Sequence, residues 1–151
     1  MNEIDMFWDR FLVNTGRDRN TKYCEVFHFD LTEYWANELL KLVLEGTKRA
    51  TASSLKYFTI KGLKLPEAGD FSILTDWNGT PRCIIETSIV TILPFKDMTY
   101  DICKREGEDE CLETWQKGHI SFFEGEGKEI GYEFDEEMLI VFEDFEVIYQ
   151  E

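Results

Sequence analysis

The sequence predicts an α+β domain in which a small, curved, mostly antiparallel β-sheet or barrel is flanked by helices. Three observations predict this fold class. Amphipathic stretches occur early and late in the chain, a hairpin signal lies in the middle, and a β-branched apolar stretch closes the sequence. The 151 residues are 43% hydrophobic and 15% aromatic, which is sufficient for one core. We therefore expect residues 1–151 to form a single domain.

Two amphipathic helices are predicted in the first third of the chain. Residues 2–14 have apolar side chains at helical spacing, and residues 15–22 hold the densest basic cluster and read as a loop. A weakly alternating stretch over 23–29 leads to the second helix, which Thr32 can cap and Gly46 can close in the left-handed conformation. Its buried face is predicted from apolar residues at intervals of three and four: Leu31, Tyr34, Trp35, Leu39, Leu42 and Val43.

Strands are predicted over the middle of the chain. Residues 51–58 form a candidate strand, and a loop with proline and glycine follows over 62–69. Residues 70–76 then form a strand, Asn78-Gly79 is a two-residue hairpin signal, and the β-branched stretch 82–93 is the return strand.

The last third combines helices with a closing strand. Thr99 can cap a short helix that ends at residue 105, and residues 111–123 have apolar side chains at helical spacing. The acidic loop 106–110 connects these two helices. Residues 132–134 and 138–149 are apolar and β-branched enough to be strands.

The charge balance limits the class of ligand. Asp and Glu number 31 against 16 Lys and Arg, which gives a formal net charge of −15. Tight sequence-independent binding of nucleic acid needs a basic surface that releases counterions, so DNA is excluded as a partner and any RNA contact must be local. A nucleoside, a nucleotide or a short RNA in a cleft remains acceptable. Elsewhere the acidic excess is interpreted as a solubilising surface.

Cellular location and metal content are predicted from what the sequence lacks. It has neither an apolar stretch of about 18 residues nor a basic segment that leads into a hydrophobic signal, so a cytoplasmic protein without membrane contact is expected. Neither the acidic loop nor the cysteines have the spacing of a metal site, so no metal or cofactor is predicted. We expect reduced, mostly buried thiols at four scattered positions: Cys24, Cys83, Cys103 and Cys111.

The segment Gly46-x-Lys48-x-x-Thr51 places an amine and a hydroxyl three positions apart beside a glycine. A turn-like path or a single helical turn would bring both side chains to one side, as a catalytic pair requires. The alternative is structural: Lys48 and Arg49 then complement the negative end of the second helix, and Thr51 begins a strand.

The chain resembles the ASCH-domain family, which is related to the PUA-like β-barrels, and within it the longer bacterial subgroup long described as uncharacterised. The similarity covers residues of about 25–148 and leaves 1–24 as an N-terminal helix and loop. It implies a small barrel with a cleft, in a superfamily associated with RNA and modified nucleosides. Six segments carry it in order: Gly46-x-Lys48-x-x-Thr51, Gly69-Asp70, Cys83-Ile84-Ile85-Glu86-Thr87, Pro94-Phe95, Glu106-Gly107-Glu108-Asp109 and Trp115-x-x-x-His119-x-x-Phe122-Phe123.

The resemblance also implies an activity, because one ASCH branch contains amidohydrolases that remove the acetyl group of 4-acetylcytidine. Carried over by position, the catalytic residues are Lys48, Thr51 and Glu106. Thr51 would attack the carbonyl, and Lys48 would accept its proton or, if it stays charged, stabilise the oxyanion. Glu106 would protonate the leaving nitrogen or orient water. Other members are ribonucleases or RNA-binding modules, so a noncatalytic RNA- or nucleotide-binding module is the alternative, and oligomers remain open.

Several other residues are candidates for ligand binding. Glu86 either faces solvent or pairs with Lys48, so the carboxylate partner of Lys48 stays open between Glu86 and Glu106. His119 is either a structural member of an aromatic face or a ligand contact, and Trp77 beside the hairpin turn can stack on a nucleobase. The candidate set is Gly46, Arg49, Ser53, Glu86, Trp77 and His119.

Overall fold

The centre of the computed structural model, which describes residues Met1–Glu151, is one curled five-stranded sheet of order β1-β3-β4-β5-β2. Three of its pairings are antiparallel, and β1 lies parallel to β3. The strands at the two ends of this order do not pair with each other, so the sheet is a half-barrel and the predicted α+β class is confirmed. The strands are β1 (Glu25–Phe27), β2 (Ala50–Ser54), β3 (Phe71–Thr75), β4 (Pro81–Pro94) and β5 (Leu139–Gln150).

Five α-helices flank this sheet, and none of them is long and apolar enough to cross a membrane. Gly46, with φ at 84°, follows the second helix in the left-handed conformation that the sequence predicts. The Thr32 side chain accepts a hydrogen bond from Trp35 N, as an N-cap does. The helices are α1 (Glu3–Thr15), α2 (Glu33–Leu44), α3 (Leu55–Lys61), α4 (Tyr100–Cys103) and α5 (Leu112–Ile130).

Alternation along β3 and β4 supplies apolar side chains to both faces of the sheet. Ile73 and Ile84 pack with α1, whereas Leu74 and Ile85 pack with α2. A third buried cluster around Trp115 lies beneath α5. Each fully buried aliphatic or aromatic side chain contributes about 1.5–3 kcal/mol relative to an exposed one, so these clusters fix α2 and α5 on the sheet.

Of the predicted strands, one is wrong in part and one is wrong entirely. The strand predicted over 51–58 ends at Ser54, because the Ser54 hydroxyl accepts from Tyr57 N at 3.0 Å and starts α3 instead. Residues 132–134 form no strand, since α5 extends to Ile130 rather than ending near 123 and the chain then runs as a loop to β5.

The predicted face of α2 is also wrong in part. Tyr34 and Trp35 are 64% and 52% exposed, and the buried positions are Ala36, Leu39, Leu40 and Val43. Three smaller corrections accompany it. The turn between β3 and β4 is closed by the hydrogen bond from Asp76 N to Thr80 O, so it contains three residues rather than two. Thr99 makes no side-chain capping bond. Two of the four cysteines are exposed rather than buried.

Candidate functional site

Lys48 lies in the turn that leaves α2. The backbone amides of Thr47 and Lys48 both donate to Leu42 O, at 2.9 and 3.1 Å, and this bifurcated closure follows the left-handed Gly46. The turn directs the Lys48 side chain inward, where only 2% of the residue is exposed. A lysine this deeply buried requires charged or polar partners.

The Lys48 ammonium is held by one carbonyl and two carboxylates. Its Nζ donates to Ala50 O at 2.7 Å and to Glu108 Oε2 at 2.5 Å, and it lies 3.9 Å from Glu106 Oε1. The Phe29 ring centroid is 5.2 Å from Nζ and adds a cation–π contact. These contacts suit a charged donor, since a lone pair on Nζ would face acceptor oxygens.

Glu106 is the buried anion of this group, with 1% of its side chain exposed. It accepts from Trp115 Nε1 at 2.6 Å and lies 3.1 Å from His119 Nε2. Burial alone would raise the pKa of Glu106, but the charges of His119 and Lys48 outweigh burial and lower this pKa to about 2. Glu106 is therefore ionised at neutral pH and has no proton to donate.

His119 sits between two acceptors. Its ring stacks on Trp115 with centroids 4.1 Å apart, Nδ1 lies 2.9 Å from Trp115 O, and Nε2 faces the Glu106 carboxylate. Burial lowers the pKa of His119, but the interaction with Glu106 outweighs burial, and the pKa is raised above 6.5. The imidazolium form satisfies both acceptors, because both ring nitrogens then donate.

We expect His119 to titrate above 6.5 in the folded protein, for which the measurement is an NMR titration of its ring signals. Because the folded pKa is raised, the stability that His119 contributes is present below about 6.5 and lost as the pH rises through the folded value. The chain has two histidines, so the signal missing in His119→Gln is assigned directly. His119→Gln should also remove this pH dependence of the unfolding free energy, and a pKa at or below 6.5 would contradict the expectation.

The acidic loop meets the lysine turn by direct backbone contact at Gly107. This residue has φ at 70°, and a Cβ added to it would lie 2.3 Å from Thr47 O. The Arg49 amide donates to Arg105 O at 3.0 Å and ties the same two segments together. Only glycine fits between them, and this approach brings Glu106 and Glu108 to the Lys48 ammonium.

These groups line a cleft of about 930 Å³, and residues of both edge strands, β1 and β2, belong to its lining. Lys48 is the only lysine or arginine in its lining, and the half-exposed Trp35 ring lies at the rim. Such a lining repels phosphate groups and favours uncharged or cationic ligands. The lining includes eight carboxylates: Glu25, Asp30, Glu38, Glu106, Glu108, Asp109, Glu126 and Glu143.

Five of the nine residues that the sequence singles out line this cleft: Lys48, Thr51, Ser53, Glu106 and His119. The other four do not. Gly46 and Arg49 are exposed in the turn, and half-buried Glu86 lies in β4 opposite Phe71 and Glu146. The half-buried Trp77 contacts His28 of the lining, with ring centroids 4.9 Å apart. The carboxylates within ion-pair distance of Lys48 belong to Glu106 and Glu108.

Sequence reasoning missed three residues of the cleft. Glu108 stands in a recognised segment, but nothing local distinguishes it from Glu106 as the closer partner of Lys48. Trp35 is assigned to the core because its spacing fits a buried face. Glu143 had a usable signal, since it opens a pair of acidic residues that follows four apolar residues of the strand.

Glu106, Glu108 and His119 also bring three possible metal-ligand atoms within 4.8 Å of one another. The donor set fits a metal poorly, because Lys48 Nζ already contacts both carboxylates and His119 Nε2 is occupied by Glu106. The positive charge in this cluster is therefore supplied by side chains.

Comparisons with known proteins converge on one domain type. A family model described as the ASCH domain matches residues 25–149. An ASCH-domain structure from Lactobacillus crispatus JV V101 is 34% identical, with 97% of this chain and 94% of that chain covered and a TM-score of 0.85. Protein EF3133 from Enterococcus faecalis V583 is 31% identical, with 97% and 88% covered and a TM-score of 0.87. No match was found among curated proteins.

Proposed function

Because the chain belongs to the ASCH-domain family, whose members are generally associated with RNA, we propose that its cleft binds a nucleoside and hydrolyses an amide on the base, as in 4-acetylcytidine. The observation that carries the proposal is that the Lys48 ammonium, its carboxylate partners and Thr51 line one open cleft. A cation and a hydroxyl in the same cleft supply the oxyanion stabiliser and the nucleophile that acyl transfer to an alcohol uses.

The size and charge of the cleft support a nucleoside over an RNA strand. A volume of about 930 Å³ lies at the upper end of the range for small-molecule sites. Eight carboxylates against one lysine and the His119 imidazolium disfavour phosphates, so the ligand that fits is a base or nucleoside without them. Trp35, 52% exposed at the rim, supplies an aromatic face on which a base can stack.

The contacts of Lys48 support an electrostatic role. Its Nζ donates to Ala50 O and to Glu108, so in this role the ammonium stabilises the oxyanion that forms when the Thr51 hydroxyl attacks the acyl carbon. Glu106 and Glu108 hold the ammonium in place, and the ionised Glu106 orients it rather than protonating the leaving group. The proton acceptor for Thr51 must then be a different residue.

Hydrolysis of N4-acetylcytidine and related N-acyl nucleosides by purified protein tests the proposal. Wild type should release the deacylated nucleoside and the carboxylic acid, and Thr51→Val should lower kcat by about a thousandfold or more because it removes the nucleophile but keeps the shape. Binding should persist in that variant and can be followed by quenching of the tryptophan fluorescence, with Trp35→Phe identifying the contribution of Trp35 among the four tryptophans. Thr91→Val, on β4 outside the cleft, is the matched control and should retain full activity.

Three results would contradict this proposal. If N-acyl nucleosides bind and quench fluorescence but are not hydrolysed, the cleft is a noncatalytic binding site. If Thr51→Val keeps the wild-type kcat, another nucleophile acts. Tighter binding of a short RNA than of any nucleoside would contradict the assignment of ligand class.

A further inference from the structure

We propose that Glu143 is the general base that takes the proton from Thr51, a role that rests on the amide hydrolysis proposed above. The geometry that carries it is the register of the edge strand. In the β2–β5 pairing, Thr51 lies directly opposite Glu143, and both side chains line the cleft.

Opposed residues of an antiparallel pair project from the same face with Cβ atoms about 4.5–5.5 Å apart. The carboxylate of Glu143 is therefore within reach of the Thr51 hydroxyl, directly or through one water. Alternation sends Ala50 and Phe142, one residue away on each strand, to the opposite face, where they join the buried cluster beneath α5. The register thus selects these two residues for the cleft.

Glu143 is also the buried carboxylate of the cleft lining that has no close partner. It is 8% exposed and forms no ion pair, and the nearby Thr87 hydroxyl lies outside hydrogen-bond geometry. The two other buried carboxylates of the lining are engaged. Glu106 accepts from Trp115, and Glu126 accepts from Ser54 and Tyr132. A buried carboxylate without a partner costs stability and is retained where it serves a ligand or a reaction.

The surroundings of Glu143 suit proton transfer at neutral pH. Burial raises the pKa of Glu143 to about 7, and the carboxylates of Glu25 on β1 and Asp70 before β3 add to this rise. The nearby Thr87 hydroxyl on β4 partly offsets this increase in the pKa of Glu143, although it lies outside the geometry of a regular hydrogen bond. A base is most effective when its pKa lies near the working pH.

The reaction is balanced with water as the only reagent besides the amide. Thr51 Oγ1 bonds to the acyl carbon as its proton moves to Glu143, and the C–N bond breaks as Glu143 passes that proton to the leaving nitrogen. Water then attacks the acyl-threonine ester, giving one proton to Glu143, which returns it to Thr51 Oγ1 as the ester bond breaks. The sum is amide plus water to carboxylic acid plus amine.

Glu143→Gln tests this role. We expect kcat to fall by about a hundredfold to ten-thousandfold with little change in KM, and the acidic limb of the kcat/KM profile near pH 7 to disappear from the residual activity. Glu143→Asp should restore part of the rate. Glu146→Gln, an exposed position on the same strand, is the matched control and should behave as wild type.

A second measurement does not depend on activity. In protein carrying 13C-labelled glutamate carboxyls, the signal missing in Glu143→Gln should titrate near pH 7. If wild type is active and Glu143→Gln has the same pH profile of kcat/KM, the role of Glu143 as the base is rejected while the proposed hydrolysis stands. The same conclusion follows if the Glu143 carboxyl titrates in the ordinary range near 4.5. A wild type that hydrolyses no N-acyl nucleoside would reject the proposed reaction itself, and with it the role of Glu143.

Discussion

Lys48→Met is expected to lower the free energy of unfolding by about 3–5 kcal/mol at neutral pH. Methionine fills most of the volume of the lysine stem, so the loss is not one of packing. It arises because two carboxylates, those of Glu106 and the mostly buried Glu108, lose the ammonium that lies within 4.0 Å of both. Urea denaturation of the two proteins at pH 7 measures the difference.

Two further variants separate charge from shape. Lys48→Met combined with Glu108→Gln should recover much of the loss, because the second change removes one of the uncompensated charges. Lys96→Met breaks the exposed pair between Lys96 and Glu137 and should cost no more than about 1 kcal/mol. If the free energy of unfolding of Lys48→Met lies within about 1 kcal/mol of the wild-type value, the ion pairs of Lys48 do not stabilise the contact between its turn and the acidic loop.

Gly107→Ala is expected to destabilise the protein by about 2–4 kcal/mol, from the left-handed backbone and the steric conflict together. The added Cβ would lie 2.3 Å from the carbonyl oxygen of Thr47, and a backbone atom cannot rotate away as a side chain can. The two loops must separate, which moves Glu108 away from Lys48. Thermal and urea unfolding give the loss of stability.

Gly62→Ala is a matched control for Gly107→Ala. Gly62 has φ at 67°, nearly that of Gly107, but nothing lies within 4 Å of a Cβ built on it. It should therefore show only the backbone penalty of about 1–2 kcal/mol. Equal losses in the two variants would mean that the loops separate freely and that their contact contributes nothing.

Local patterns predicted the sheet well because β3, β4 and β5 carry their own signals. Alternation, β-branching and a turn between β3 and β4 specify strands without reference to the rest of the chain. The face of α2 was predicted less well. Tyr34 and Trp35 satisfy a helical period as well as Ala36 and Leu40 do, and only contact with the sheet decides which set is buried.

The candidate site was predictable only where its residues are close in sequence. Lys48 and Thr51 share one segment, and both line the cleft. The partners of these residues come from far along the chain: Glu108 through the contact at Gly107, and Glu143 through the register of β2 against β5. Such pairings depend on tertiary structure, so the choice between Glu86 and Glu106 could not anticipate Glu108 as the closest carboxylate.

The unpaired edges of the half-barrel have a consequence for how related proteins can diversify. Residues of β1 and β2 line the cleft, and no ladder hydrogen bonds join these two strands. The width of the cleft can therefore change through substitutions in the wall residues, or through small rotations of the segment before α2, without loss of strand pairing. A fold of this kind can bind new ligands when the width of its cleft changes, while the strand pairing of the sheet stays intact.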